Sequence, residues 1–223
     1  VNHIMEKAAQ GALMGARGNS GVIVSQLFRG FASSVKTKEI LSTKDFAEAL
    51  MCAAKTAYQA VMKPVEGTIL TVAREAAEKA VEVAAQKDNL VEFLRIILGH
   101  AQKVLLKTPD MLPVLKQSGV VDAGGYGLLC FFEGALSFLE GKEIEIDEKF
   151  HDSVIKELSV STTEESGQMD GELTYQYCTE FILRGYRLNL DTVKNDLAPH
   201  GDCLLVVGDE KTLKIHIHTN NPG

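Results

Sequence analysis

The chain has 223 residues, enough for one or two domains with a buried core. Its formal charge of −7 is uneven, since residues 1–141 carry a net +1 and residues 142–223 a net −8. The sequence has no stripe of basic residues that would indicate nucleic-acid binding. No apolar run reaches the roughly 18 residues that a membrane span needs. We see no secretory signal, and the four dispersed cysteines form no CxxC pair. We therefore expect reduced thiols and a cytoplasmic protein.

Apolar residues at helical spacing dominate the first 141 residues. Five predicted helices share this pattern: residues 22–31, 42–61, 68–86, 90–107 and 123–141. Ser42 and Asp45 form a capping-box pattern ahead of the second of these helices, and Pro64 closes it. Cys52 and Cys130 lie in apolar helical stretches, so we expect both in the core.

The pattern changes in the last third of the chain. Residues 142–173 are acidic and rich in serine and threonine, as is typical of a linker. Strands are predicted over 175–184, 203–207 and 212–219, with a short helix over 189–197 and a turn over 208–211. We therefore predict a helical domain over 1–141, an acidic linker over 142–173 and an α+β domain over 174–223.

A first glycine-rich segment, Gly15-Ala-Arg-Gly-Asn-Ser-Gly21, precedes an apolar helix. Free N–H groups at a helix start bind phosphate, and glycine lets a backbone approach a ligand closely. Asn19 and Ser20 both suit an N-cap position. The segment lacks the Gly-Lys-Ser/Thr of a P-loop, follows a helix rather than a strand, and has no G-x-S-x-G. Close packing of two helices is the alternative explanation.

Two further segments combine glycines with a predicted helix start. Ser118-Gly-Val-Val-Asp-Ala-Gly-Gly-Tyr-Gly127 offers Asp122 as an N-cap, and Lys63-Pro-Val-Glu-Gly-Thr68 offers Thr68. Together with the first segment they favour a composite nucleotide pocket, although tight helix packing also selects small residues.

Three residues of the C-terminal part have the chemistry of zinc ligands. His216 and His218 are two apart in a predicted strand, so their side chains share a face. Two imidazoles and a thiolate are ordinary zinc ligands, and Cys178 lies in another predicted strand. Water or Glu180 are alternatives for a fourth ligand. Solvated histidines on an exposed strand are the alternative to a metal site.

The three glycine-containing segments together resemble the L-subunit domain of dihydroxyacetone kinases, and more closely its fatty acid kinase branch. Residues 177–181 (Tyr-Cys-Thr-Glu-Phe) and 215–223 (Ile-His-Ile-His-Thr-Asn-Asn-Pro-Gly) resemble that branch's middle domain. The resemblance implies an all-α helical barrel of the dihydroxyacetone kinase L-domain type, followed by a partial α+β domain.

The family binds ATP at one end of its barrel. By resemblance, the first glycine segment would hold the phosphates, the segment at Gly67 and Thr68 would lie near the adenine, and the segment at Asp122 would close over the nucleotide. The implied nucleotide-binding residues are Gly18, Asn19, Ser20, Gly21, Gly67, Thr68, Asp122, Gly124 and Gly125. The implied ligands of a structural zinc ion are Cys178, His216 and His218.

One departure concerns magnesium, which the family holds with an Asp-Gly-Asp-Thr-Gly-Thr-Asn segment that this sequence lacks. The aspartates before residue 141 are unclustered: Asp45, Asp88, Asp110 and Asp122. We therefore expect a fragment without the N-terminal metal motif and the C-terminal domain, with no catalytic residue of its own and no activity alone.

For the intact parent the resemblance implies an ATP- and Mg²⁺-dependent kinase that serves phospholipid metabolism. It would phosphorylate a fatty acid carboxylate presented by a lipid-binding partner protein and form an acyl phosphate. A glycerone kinase of the dihydroxyacetone kinase L-subunit type and a non-catalytic nucleotide-binding or scaffold module are the alternatives, and homodimerisation stays open.

Overall fold

The structure is a computed structural model that describes residues 1–142 and 174–223. In those residues eight α-helices precede a three-stranded antiparallel sheet with one further helix, which confirms the expected order of a helical and then an α+β part. The helices are α1 (Asn2–Gly15), α2 (Gly18–Ser34), α3 (Thr43–Ala60), α4 (Ile69–Ala84), α5 (Leu90–Leu105), α6 (Thr108–Met111), α7 (Pro113–Ser118), α8 (Ala123–Leu139) and α9 (Leu190–Leu197). The strands are β1 (Tyr177–Arg184), β2 (Gly201–Gly208) and β3 (Thr212–Thr219).

The short helices α6 and α7 were not predicted, and nearly all of the predicted acidic linker lies outside the described residues. Among the described helices, none is long and apolar enough to cross a membrane.

Local capping explains where several helices begin. The Asp45 carboxylate accepts from the backbone N–H of Ser42 at 3.0 Å, and the Ser42 hydroxyl accepts from the N–H of Asp45 at 3.2 Å, which confirms the capping box. Thr68 caps α4, and Asn189 caps α9 by accepting from the N–H of Thr192 at 2.9 Å. These caps reach only two or three residues along the chain, so they are visible in the sequence.

The chain forms two compact units, and unit 1 contains residues 1–41, 48–64 and 174–223. Its sheet has the order β1-β3-β2, so β3 is central. One face of the sheet packs against α9 through a buried apolar cluster: Leu204, Val206, Leu213, Ile215 and Ile217. The opposite face packs Leu205 and Val207 against Ala16 and Val22, where α1 turns into α2. The first glycine-rich segment is therefore seated on the sheet.

Unit 2 contains residues 42–47 and 65–142, with α4, α5 and α8 packed together. Phe46 meets Phe93 edge to face, with ring centroids 6.1 Å apart. Helix α8 is apolar around most of its circumference but buries one side through Leu129, Phe132 and Leu136. The expectation that Cys130 lies in the core is therefore wrong: its thiol is exposed, and Cys52 is half-buried.

Candidate metal centre and glycine-rich turns

The turn between α1 and α2 is held by side chains of the sheet. Helix α2 begins at Gly18, whose φ of +63° suits glycine, and the preceding Arg17 supplies no capping side chain. The backbone N–H of Gly18 donates to Oε1 of Glu180 on β1 at 2.5 Å. On β3, Nζ of Lys214 donates to the carbonyl of Ala16. Side chains of β1 and β3 thus hold both sides of this turn by hydrogen bonds.

Asn19 and Ser20 were expected as N-caps, and that expectation is wrong. The helix starts before either residue, and the carboxylate of Glu180 takes the capping role. The Oδ1 atom of Asn19 is buried and has no hydrogen-bond partner among the described residues. A Cβ atom at Gly21 would lie 3.3 Å from the backbone of Ala16, so this position favours glycine. The turn is therefore tight, with the Ser20 side chain exposed on it.

The charges around this turn are partly buried. Lys214 is only 4% exposed, which is unusual for a lysine. Burial alone would raise the pKa of the Glu180 carboxyl, but hydrogen bonds from His216 and Gly18 and the charge of Lys214 together hold that pKa below its ordinary value. Glu180 is accordingly an ionised acceptor at neutral pH.

In unit 2, the segments at Gly67 and Asp122 come together around Thr108. Gly67 has φ +82°, and a Cβ there would lie 3.0 Å from the carbonyl oxygen of Thr108. The Thr108 hydroxyl, in a fully buried residue, accepts from the backbone N–H of Asp122 at 3.1 Å. A Cβ at Gly125 would lie 2.8 Å from Val72 on α4, so close packing accounts for that glycine. Gly124 is half-buried beside it.

Asp122 caps α8 and lies close to the start of α4. Its Oδ2 accepts from the N–H of Gly125 at 2.7 Å, which confirms the predicted N-cap of α8. The backbone N–H of Ile69, the first residue of α4, also lowers the pKa of this carboxyl. Desolvation by burial outweighs these hydrogen bonds and raises the pKa of Asp122. The starts of α4 and α8 therefore both lie close to the Asp122 carboxylate.

The sheet brings the three predicted zinc ligands together on one face. Cys178 lies opposite His218 in the β1–β3 register, and His216 is two residues away on β3. Their ligand atoms all lie within 4.8 Å of one another. His216 is 1% exposed and its ring centroid is 5.2 Å from that of His218, so the solvated-strand alternative does not fit His216, whereas the His218 side chain is 33% exposed.

A carboxylate orients each histidine. Nδ1 of His216 lies 3.0 Å from Oε1 of Glu180, and Nδ1 of His218 lies 3.3 Å from Oδ1 of Asp202. Histidines that ligate metals are commonly held through their second nitrogen by such a partner. Both Nε2 atoms are thereby left as acceptors, so this face has donors that fit zinc. Glu180, one alternative for the fourth ligand, already shares Oε1 between His216 and Gly18.

Asp202, Cys203 and His218 form a second group of potential ligands. Desolvation and the neighbouring Asp202 carboxylate raise the pKa of the Cys203 thiol. Within residues 1–142 and 174–223, these two groups are the sets of three potential ligands close enough to share an ion. Neither is the all-oxygen set that magnesium prefers, so the described residues do not fit a magnesium site.

Sequence reasoning missed the roles of Lys214, Asp202 and Cys203. Lys214 looks like an ordinary surface residue of an alternating strand, and Asp202 and Cys203 lie at the start of one. Only the pairing of the strands shows what they face.

Comparison with known proteins agrees with this architecture. Residues 1–137 match the DAK2 domain, and residues 174–223 match the FakA-like middle domain of fatty acid kinases. Curated relatives include the uncharacterized proteins SSP1546 of Staphylococcus saprophyticus, 45% identical over 230 residues, and SH1689 of Staphylococcus haemolyticus, 44% identical over 228 residues. Each match covers 100% of this chain but only 41% of the relative. The chain belongs to the DAK2-domain family.

Proposed function

We propose that the whole protein is an ATP-dependent kinase that phosphorylates the carboxylate of a fatty acid and forms an acyl phosphate. A lipid-binding partner protein presents the acid. The observation that carries this proposal is the presence, in one chain, of a DAK2 domain and of a FakA-like middle domain. We place the reaction in the cytoplasm, where the four free cysteines stay reduced.

In unit 1, the proposed phosphate contacts lie at the start of α2. The carboxylate of Glu180 accepts from the N–H of Gly18, so the contacts fall on the N–H groups of Asn19 and Ser20 and on the exposed Ser20 hydroxyl. The close approach of Gly21 to Ala16 keeps this turn compact.

In unit 2, the proposed nucleotide contacts lie at the start of α4, with Gly67 and Thr68, and at the start of α8, with Gly124 and Gly125. Gly67 and Gly125 are buried by packing within unit 2, so a nucleotide would reach the half-buried Thr68 and Gly124.

The proposed phosphoryl transfer does not depend on a general base of the protein. A fatty acid carboxylate is ionised at neutral pH, so its attack on the γ-phosphorus needs no general base. The rate then depends on positioning and on neutralising the phosphate charge. The part proposed for this chain is to bind and orient the nucleotide.

Isothermal titration of the whole protein with ATP tests the phosphate site. Ser20→Ala and Gly21→Val should each weaken binding, since the first removes a donor and the second pushes a side chain against Ala16. Gly11→Val is the matched control, because a Cβ at Gly11 in α1 meets nothing within 4 Å. Unchanged ATP affinity in both test variants would rule out the site at α2.

The reaction is tested by assaying acyl phosphate with ATP, fatty acid and the lipid-binding partner. Formation of acyl phosphate supports the proposal. Bound ATP without any phosphorylated product would favour a non-catalytic nucleotide-binding module, and phosphorylation of glycerone instead would favour the dihydroxyacetone kinase alternative.

We also propose that the sheet of unit 1 holds a structural zinc ion through Cys178, His216 and His218. The short separations among their ligand atoms and the carboxylate behind each imidazole support it. Elemental analysis of protein purified without chelator should find about one zinc per chain, as one such site requires. Cys178→Ser should lose it and Cys52→Ser should keep it. Metal-free wild-type protein would contradict the proposal.

A further inference from the structure

The strand β2 contains a bulge beside Cys203, whose thiol lies close to His218. Asp202 pairs with His218 and Leu205 with His216, so β2 advances three residues where β3 advances two. Cys203, inside this irregularity, has φ +51°, a left-handed conformation that is uncommon for a residue other than glycine. Bulges of this kind re-aim side chains and recur beside functional sites.

The bulge places two successive side chains on one side of the sheet. In a regular strand Asp202 and Cys203 would point to opposite faces. Here the ligand atoms of both residues lie within 4.8 Å of each other and of a ring nitrogen of His218. His218 also belongs to the group with Cys178 and His216. The two groups therefore share one imidazole and bring both thiols to it.

The roles of the two acidic residues are already assigned by their contacts. Glu180 holds His216 and Asp202 holds His218, each through Nδ1, so both imidazoles present Nε2. The donors left over on this face are two Nε2 atoms and the thiols of Cys178 and Cys203. Two cysteines and two histidines are one of the common ligand sets of structural zinc.

We infer that Cys203 is the fourth zinc ligand, so that Cys178, Cys203, His216 and His218 close a tetrahedral site. The inference rests on the proposed zinc ion and adds its missing ligand. Both thiols release their protons to solvent as they bind, and two thiolates offset the charge of the ion. With four protein ligands the ion keeps no open position for water or substrate, which makes the site structural.

Zinc X-ray absorption spectroscopy of the zinc-loaded whole protein counts the ligands directly. It should show two sulfurs at about 2.3 Å and two nitrogens at about 2.0–2.1 Å. Cys203→Ser should leave one sulfur and lower the zinc affinity at least about tenfold, a loss that even supporting residues around metal sites reach. Asp202→Asn should keep both sulfurs because it removes no sulfur donor. Replacement of zinc by Co²⁺ gives a second readout, since the sulfur-to-cobalt absorption band should weaken in Cys203→Ser and stay in Cys52→Ser.

The outcomes separate this inference from the zinc proposal. Zinc bound with one sulfur in the wild type would overturn the role of Cys203 and leave the other three ligands standing. A disulfide between Cys178 and Cys203 in the purified protein, or two sulfurs that persist in Cys203→Ser, would overturn it as well. No zinc at all would overturn both. The wild-type spectrum decides the question even if a variant fails to fold.

Discussion

The contact between β1 and the first glycine turn makes Glu180 a sensitive position. Its Oε1 accepts from the N–H of Gly18 at 2.5 Å and lies 3.0 Å from Nδ1 of His216. Glu180→Ala leaves both donors without this acceptor and takes a nearby negative charge from the buried Lys214. Hydrogen bonds to charged groups contribute about 1.5–3 kcal/mol each. Because the Glu180 side chain is still 19% exposed, the lower end applies.

Glu180→Ala should therefore lower the free energy of unfolding by about 3 kcal/mol. For a chain of this size that corresponds to a fall of about 6–12 °C in the melting temperature. Glu180→Gln keeps a side-chain oxygen for Gly18 and should lose only about 1–2 kcal/mol. Glu210→Ala is the control, since Glu210 is exposed in the β2–β3 turn, and it should stay within about 0.5 kcal/mol of wild type.

The assay is urea denaturation after treatment with chelator, so that zinc binding adds nothing to the measured stability. Hydrogen exchange of the Gly18 amide provides a local readout and should accelerate in Glu180→Ala. The reasoning is refuted if Glu180→Ala and Glu210→Ala unfold at the same urea concentration and the exchange of Gly18 is unchanged.

Substitutions at four further positions test other parts of the fold by urea denaturation. Asp122→Ala should cost about 1 kcal/mol as a lost cap, whereas Asp122→Asn should cost almost nothing, because asparagine caps equally well without a desolvated charge; equal losses would contradict the cap. The pKa of Asp209 lies below its ordinary value because the N–H groups of the β2–β3 turn donate to its carboxylate. Its stabilisation is therefore present at neutral pH and lost as the pH falls through the lowered pKa, and Asp209→Asn should remove this part of the pH dependence. Gly30→Ala should destabilise by about 1–3 kcal/mol, since its Cβ would lie 2.6 Å from α3, while Gly99→Ala, in open space on α5, should stabilise by up to about 1 kcal/mol. Equal effects of these two glycine variants would mean that α2 and α3 do not pack closely.

The sequence predicted those helix starts whose caps are local. The capping box of Ser42 and the caps at Thr68 and Asp122 act within three residues of the chain, so residue type and spacing were sufficient. The cap of α2 comes from Glu180, which is 162 residues away from Gly18 in the chain, so no local sequence pattern predicts it. The prediction that Cys130 is buried was wrong for a related reason, since apolar neighbours along α8 do not show which side of the helix packs.

The residues of the proposed metal centre were likewise predicted only in part. Strand periodicity put His216 and His218 on one face, and ligand chemistry singled out Cys178. Strand periodicity also predicts that Asp202 and Cys203 point to opposite faces. The bulge brings both side chains to His218, and a bulge depends on how β2 pairs with β3, which the local sequence does not encode.

A glycine-rich helix start serves equally as a phosphate site and as a capped turn, because both use the same N–H groups. In this chain the starts of α2 and α8 each carry a carboxylate, from Glu180 and Asp122 respectively. At α8 the carboxylate belongs to the turn itself, so a nucleotide there has to contact groups beside it. At α2 the carboxylate arrives on a strand that also carries Cys178, one of the proposed zinc ligands. The proposed phosphate site at α2 is therefore tied to the position of the sheet. Glu180→Ala adds an indirect test of that site to the direct tests by Ser20→Ala and Gly21→Val, while a test at α8 can vary Asp122 alone.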